Sequence, residues 1–225
     1  FTVSSSDDSS SSGSGVFVAV GNNGIIIRST DNGTNWDNAT SPTKNNLSWG
    51  DGVVFGNNTF VGVGVSGNIV RSTDNGSSFD NVTSDPAITQ HLYGVTFGNN
   101  TFVVCGSNGT IVRSTDNGTN WDEVTSGTNK NLFGVTFANN TFVAVGQAGN
   151  ILRSTDNGSS WDNATSPTGT RLRGVTFGNN TFVATGDSST IVRSTDNGSN
   201  WDNATGPSGS TLWDIGFGNN TFLAL

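Results

Sequence analysis

Methionine is absent from the chain, and cysteine, histidine, tyrosine and glutamate occur once each, as Cys105, His91, Tyr93 and Glu123. One cysteine excludes an internal disulfide. It stands where other parts of the chain carry Val20, Val63, Val145 and Thr185, which marks a small buried side chain rather than a nucleophile. One histidine, beside an irregular connector from 85 to 90, supports neither a Ser-His-Asp triad nor a multi-histidine metal site. Lysine is limited to Lys44 and Lys130, and a net charge of −8 argues against nucleic acid or an anionic membrane as partner. No apolar run approaches the roughly 18 residues of a membrane span. The spacing Asp31, Gly33, Asn35, Asp37 has the look of a calcium loop but lacks its later bidentate acid, so no metal and no cofactor are expected. With no methionine to start it, Phe1 reads as the product of leader removal, which points to secretion.

What fills the chain instead is glycine, asparagine, serine and threonine, arranged in a repeat. Ser29-Thr30-Asp31-Asn32-Gly33-Thr34-Asn35-Trp36 returns from Ser72 to Phe79, Ser114 to Trp121, Ser154 to Trp161 and Ser194 to Trp201. Successive copies start 43, 42, 40 and 40 residues apart. Each copy reads as a strand end, a tight Asp-Asn-Gly turn and an aromatic that opens the next strand. Asn-Gly supplies the positive φ of such a turn, and the Asp carboxylate accepts backbone N–H groups within it. The structural residues are then Asp31, Asp74, Asp116, Asp156 and Asp196, with Trp36, Phe79, Trp121, Trp161 and Trp201 folding into the core.

This Ser-x-Asp-x-Gly-x-x-Trp pattern resembles the Asp-box, or BNR, repeat of sialidases, sortilin-type receptors and photosystem II assembly-factor propellers. The resemblance implies a fold and not a function, because enzymes and non-enzymes share the box. The fullest copy shows four short strands per forty residues, A to D, bounded by Gly or Asn. The expected fold is all-β: a five-bladed β-propeller of four-stranded antiparallel blades. Residues 16–225 form the propeller, and residues 1–15 a β-prone tag with a Ser/Asp/Gly linker. Strand B occurs six times and strands A, C and D five times. The C-terminal A and B strands are therefore expected to close the ring on the first B–C–D strands, leaving one B strand and the tag over.

The sialidase resemblance implies an arginine triad, a Tyr–Glu pair and an acid, and this chain does not supply them together. Tyr93 and Glu123 fall in different strands, and Arg28, Arg71, Arg113, Arg153 and Arg193 all take one position in strand C. That recurrence reads as a structural bracket, so no catalytic residue is assigned and a glycosidase is the remote alternative. Sixteen N-x-S/T sequons fit a secreted glycoprotein. Asn38, Asn81, Asn163 and Asn203 close strand D, where no turn demands asparagine, and are the expected glycan carriers.

Two non-enzymatic roles remain. The first is a structural subunit at the cell surface or outside the cell, assembling with itself into a filament or layer by exchanging strands through Phe1, Thr2, Val3 and Phe222. The second is a binding module for a glycan or peptide. The lower turns repeat nearly unchanged, whereas the upper connections differ in each repeat. Asp51, Tyr93, Phe133, Arg173 and Trp213 stand before strand A on that variable face, near the axis.

Overall fold

The computed structural model describes residues 2–5, 15–47, 52–82, 88–206 and 208–225. Its strands sort into five four-stranded antiparallel sheets and one of two strands. The first sheet holds β1 (Thr2–Ser5), β2 (Phe17–Val20), β3 (Ile26–Ser29) and β4 (Asp37–Asn38). The second holds β5 (Val53–Gly56), β6 (Thr59–Val63), β7 (Ile69–Ser72) and β8 (Asp80–Val82). In the third are β9 (Leu92–Gly98), β10 (Thr101–Gly106), β11 (Ile111–Ser114) and β12 (Asp122–Val124). The fourth comprises β13 (Leu132–Ala138), β14 (Thr141–Gly146), β15 (Ile151–Ser154) and β16 (Asp162–Asn163). The fifth comprises β17 (Leu172–Gly178), β18 (Thr181–Gly186), β19 (Ile191–Ser194) and β20 (Asp202–Asn203), and the last pair is β21 (Ile215–Gly218) with β22 (Thr221–Ala224).

Each sheet is a meander built by local turns. Both central residues of the first hairpin turn have positive φ, as at Asn139 (48°) and Asn140 (57°). Asparagine tolerates that region, and the resulting twist matches a two-residue hairpin. The same Asn-Asn conformation recurs at Asn57-Asn58, Asn99-Asn100, Asn179-Asn180 and Asn219-Asn220. The sheets stand side by side: β1, β5, β9, β13, β17 and β21 touch in succession and are the inner strands. The apolar core lies between neighbouring sheets. Val103, Cys105 and Ile111 of the third sheet meet Phe142, Leu152 and Trp161 of the fourth, and the pattern repeats from the first sheet to the fifth.

Ring closure by the C-terminal strands is not what the structure has. The inner place of the first sheet is filled by β1, which pairs with β2 from Thr2↔Val20 to Ser5↔Phe17. β21 and β22 pair with each other and form a sixth, two-stranded sheet. β1 and β2 are neighbours in sequence, and pairing neighbours closes a short loop at small entropic cost. Thr2 and Val3, expected to reach a second molecule, lie in their own chain's first sheet. That sheet therefore crosses the expected boundary at residue 15. Phe1 and Asp51 lie outside the described residues.

Candidate functional site

The five Asp boxes are structural in their chemistry. In the fifth, the Asn200 backbone N–H donates to Asp196 Oδ1 at 3.0 Å, the Asn200 amide to Oδ2 at 2.7 Å, and the Ser194 hydroxyl to Oδ1 at 2.8 Å. Asp31, Asp74, Asp116 and Asp156 accept the equivalent bonds. Donors aimed at the ionised form hold the carboxyl down. The Asn200 backbone N–H is the main cause at Asp196, and the Ser160 hydroxyl at Asp156; both are lowered to about 2. The tryptophan that follows donates its indole N–H back to the turn glycine, as Trp201 does to Gly198 O at 3.0 Å.

Three of the five strand-C arginines clamp one sheet to the next, whereas Arg113 Nε is buried without a hydrogen-bond partner among the described residues. Arg28 Nε donates to Asn75 O at 2.6 Å, Arg71 Nε to Asn117 O at 2.7 Å, and Arg153 Nε to Asn197 O at 2.7 Å. Each acceptor lies in the Asp box of the following sheet. Tyr93 and Glu123 occupy opposite edges of the third sheet, on inner β9 and outer β12. Asn38, Asn81, Asn163 and Asn203 are all exposed on outermost strands.

At the inner edge the structure brings together four of the five expected ligand residues. Tyr93, Phe133 and Arg173 are each the extra residue of a β-bulge: β9 pairs Leu92 with Gly106 and then Gly94 with Cys105, and β13 and β17 repeat the shift. A bulge re-aims the side chain it carries. Gly134, just beyond the bulge, allows the close approach this needs, since a Cβ there would lie 2.8 Å from Arg173 O. Tyr93 and Phe133 lie with ring centroids 5.4 Å apart. Arg171 covers the Phe133 ring at 5.5 Å, and Arg173 stacks on Trp213 at 3.9 Å. These contacts make a continuous strip of aromatic rings and guanidinium groups.

Three members of the strip were missed in the sequence. Asp187, in the turn after β18, accepts from Arg173 Nε at 2.5 Å and lies 3.7 Å from Arg171 Nε. Arg171 is 41% exposed in its side chain, and its Nε makes no hydrogen bond among the described residues. Asp214 takes the place of Gly52, Gly94, Gly134 and Gly174, and that break in the pattern was the available signal. Burial raises its carboxyl above the ordinary carboxylate range, against the Ile215 N–H bond that favours the charge. Outside the strand-C arginines the chain has four Lys and Arg residues, and two of them, Arg171 and Arg173, stand here. Two guanidinium groups among aromatic rings suit a carboxylate with an apolar neighbour.

No protein-family model matches the chain, and no curated protein does. Solved structures do match. The WD40 beta propeller domain of Doa1 aligns over 99% of this chain and 74% of its own, at TM-score 0.67 and 13% identity. The fold is a β-propeller. YCF48 bound to D1 peptide is similar over 90% of this chain, at TM-score 0.67 and 20% identity, and an ancestral GH74 enzyme over 89%, at 0.70 and 19%. The chain spans 65% of that YCF48 structure and 31% of the GH74 enzyme. At these identities the likeness is one of fold, in which a four-stranded antiparallel sheet is a blade.

Proposed function

We propose that this propeller is a non-catalytic binding protein whose inner-edge strip holds the carboxylate end of a peptide. The observation that carries the reading is Arg171, which lies over Phe133, is held 3.7 Å from Asp187 through its Nε, and leaves 41% of its side chain exposed. A carboxylate would take the Arg171 fork, and the adjacent side chain would lie on Trp213, which is 65% exposed. The likeness to a propeller solved with a bound peptide supports this choice. The non-catalytic reading is supported by the separation of Tyr93 from Glu123 and by the structural use of the box acids and arginines. Titrating short peptides against intrinsic tryptophan fluorescence tests it. Peptides with a free C-terminus should change the emission, and Trp213→Ala should abolish the change. No response across the panel, or a response untouched in Trp213→Ala, refutes the reading.

A second reading is favoured by the two-stranded sixth sheet: the protein is a secreted, glycosylated structural subunit that assembles with itself. The outer edge of β22, which in every other blade is paired to a third strand, has no partner among the described residues. Such an edge is a template for association. Exposed Asn38, Asn81, Asn163 and Asn203 would carry the glycans and keep the outer edges apart.

A further inference from the structure

The third sheet departs from the repeat at Glu123 and Gly127, and both line one cavity. Four sheets carry an asparagine on their outer strand: Asn38, Asn81, Asn163 and Asn203 stand opposite Ile27, Val70, Leu152 and Val192. In the third sheet Glu123, the chain's one glutamate, takes that place opposite Val112. Gly127 stands where the first, fourth and fifth repeats have Pro42, Pro167 and Pro207. The connection keeps its turn: the Ser126 hydroxyl donates to Thr128 O at 3.2 Å, as Ser41 does to Thr43 O and Ser166 to Thr168 O. Within that turn Gly127 takes φ 76°, outside the range that a proline ring allows.

The cavity measures about 610 Å³ and lies between the turn after β10, the end of β12 and the connection that follows. That volume is in the range of small-molecule sites. Its lining includes exposed Asn108, Glu123, Thr125 and Asn129 with half-buried Thr128, and no lysine, arginine or aromatic ring among the described residues. A Cβ added at Gly127 would meet nothing nearer than Asn163 Nδ2 of the fourth sheet, at 4.0 Å, so that side is open. Thr40 and Thr165, the counterparts of Thr125, bridge to Ser78 and Asn200 in the Asp box of the following sheet. Thr125 makes no such bridge among the described residues.

We infer that this cavity binds a neutral saccharide. Its donors and acceptors decide the class of ligand. The Glu123 carboxylate accepts hydrogen bonds, the Asn108 and Asn129 amides donate and accept, and the Thr125 and Thr128 hydroxyls do either. Sugar hydroxyls also donate and accept, so two neighbouring hydroxyls match a carboxylate and an amide together. An ammonium group offers donors alone and leaves the amide N–H groups without partners. An anion meets Glu123 with no cation in the lining to offset it, and a calcium ion finds a single carboxylate. With no ring to stack on, the ligand is held by its hydroxyl edge. The cavity lies by the outer strand of the third sheet, apart from the inner-edge strip, and its ligand is independent of the peptide reading.

The test titrates the full, isotope-labelled chain separately with glucose, N-acetylglucosamine, mannose, galactose and methylammonium, and follows backbone amide shifts by NMR. At least one sugar should give saturable shifts at residues 108–110 and 123–129. Glu123→Ala changes an exposed residue, so the rest of its spectrum should stay the same while that sugar binds about tenfold or more weakly. The absence of saturable shifts with every sugar overturns the inference. Shifts that fall only on the inner-edge strip, or that persist undiminished in Glu123→Ala, overturn it too. Saturation by methylammonium and by no sugar makes this a cation site and overturns the saccharide assignment.

Discussion

Trp161→Ala and Trp36→Ala remove the same side chain from the same turn, in an enclosed place and an open one. Trp161 is nearly buried against Val103, Cys105 and Phe142, while Trp36 is 38% exposed. Both lose an indole hydrogen bond to a turn glycine, 3.2 Å for Trp161 and 3.0 Å for Trp36, and that costs about 1 kcal/mol in each. Only Trp161→Ala also leaves a cavity, which brings its total to about 3–5 kcal/mol. Trp36→Ala should stay near the hydrogen-bond figure. For a chain of 225 residues the difference is worth a melting-temperature gap on the order of 10 °C. Urea unfolding followed by circular dichroism measures both. Equal losses in the two variants, or a Trp161→Ala loss under about 1 kcal/mol, would refute packing between successive blades as the source of stability.

Arg71→Gln should cost about 1.5–3 kcal/mol by cutting the bond to Asn117 O, whereas Arg193→Gln should change stability by no more than about 0.5, because Arg193 is exposed; urea midpoints separate them. The box carboxyls at Asp31, Asp156 and Asp196 are depressed to about 2 from an ordinary 3.8, so they bind protons less readily folded than unfolded. Their contribution is present above about pH 4 and is lost as pH falls toward 2. Thermal melts between pH 5 and 2 should show that decline, and Asp156→Asn should be less stable at pH 5 and decline less steeply; a flat profile contradicts the bonding pattern.

The parts legible in the sequence are those decided by local chemistry. Asn139-Asn140 could only be a turn with two positive φ values, and Asp156 four residues before Ser160 could only be satisfied by closing its own loop. Tyr93, Phe133, Arg173 and Trp213 were picked out because they stand before strand A on the variable face, and the structure gathers them. Asp51, chosen on the same ground, lies outside the described residues. The bulges that aim Tyr93, Phe133 and Arg173 depend on pairing registers between strands, which no local pattern states. β1 was hidden for a different reason. Ser5 stands opposite Phe17 in register, where β5 sets Phe55 opposite Phe60, so the tag does not resemble the strand whose place it takes. Asp187 and Arg171 come from separate connections, and only the folded blade brings them beside Arg173.

The claim that this propeller binds a carboxylate through Arg171 is met most directly by a calorimetric cycle. One tryptophan-fluorescence-positive peptide is titrated with its C-terminus free and amidated, against the unmodified chain and against Arg171→Gln. The account predicts that amidation weakens binding to the unmodified chain about tenfold or more and leaves Arg171→Gln nearly indifferent, a coupling of about 1–3 kcal/mol. Amidation that weakens both proteins equally, or neither, contradicts it.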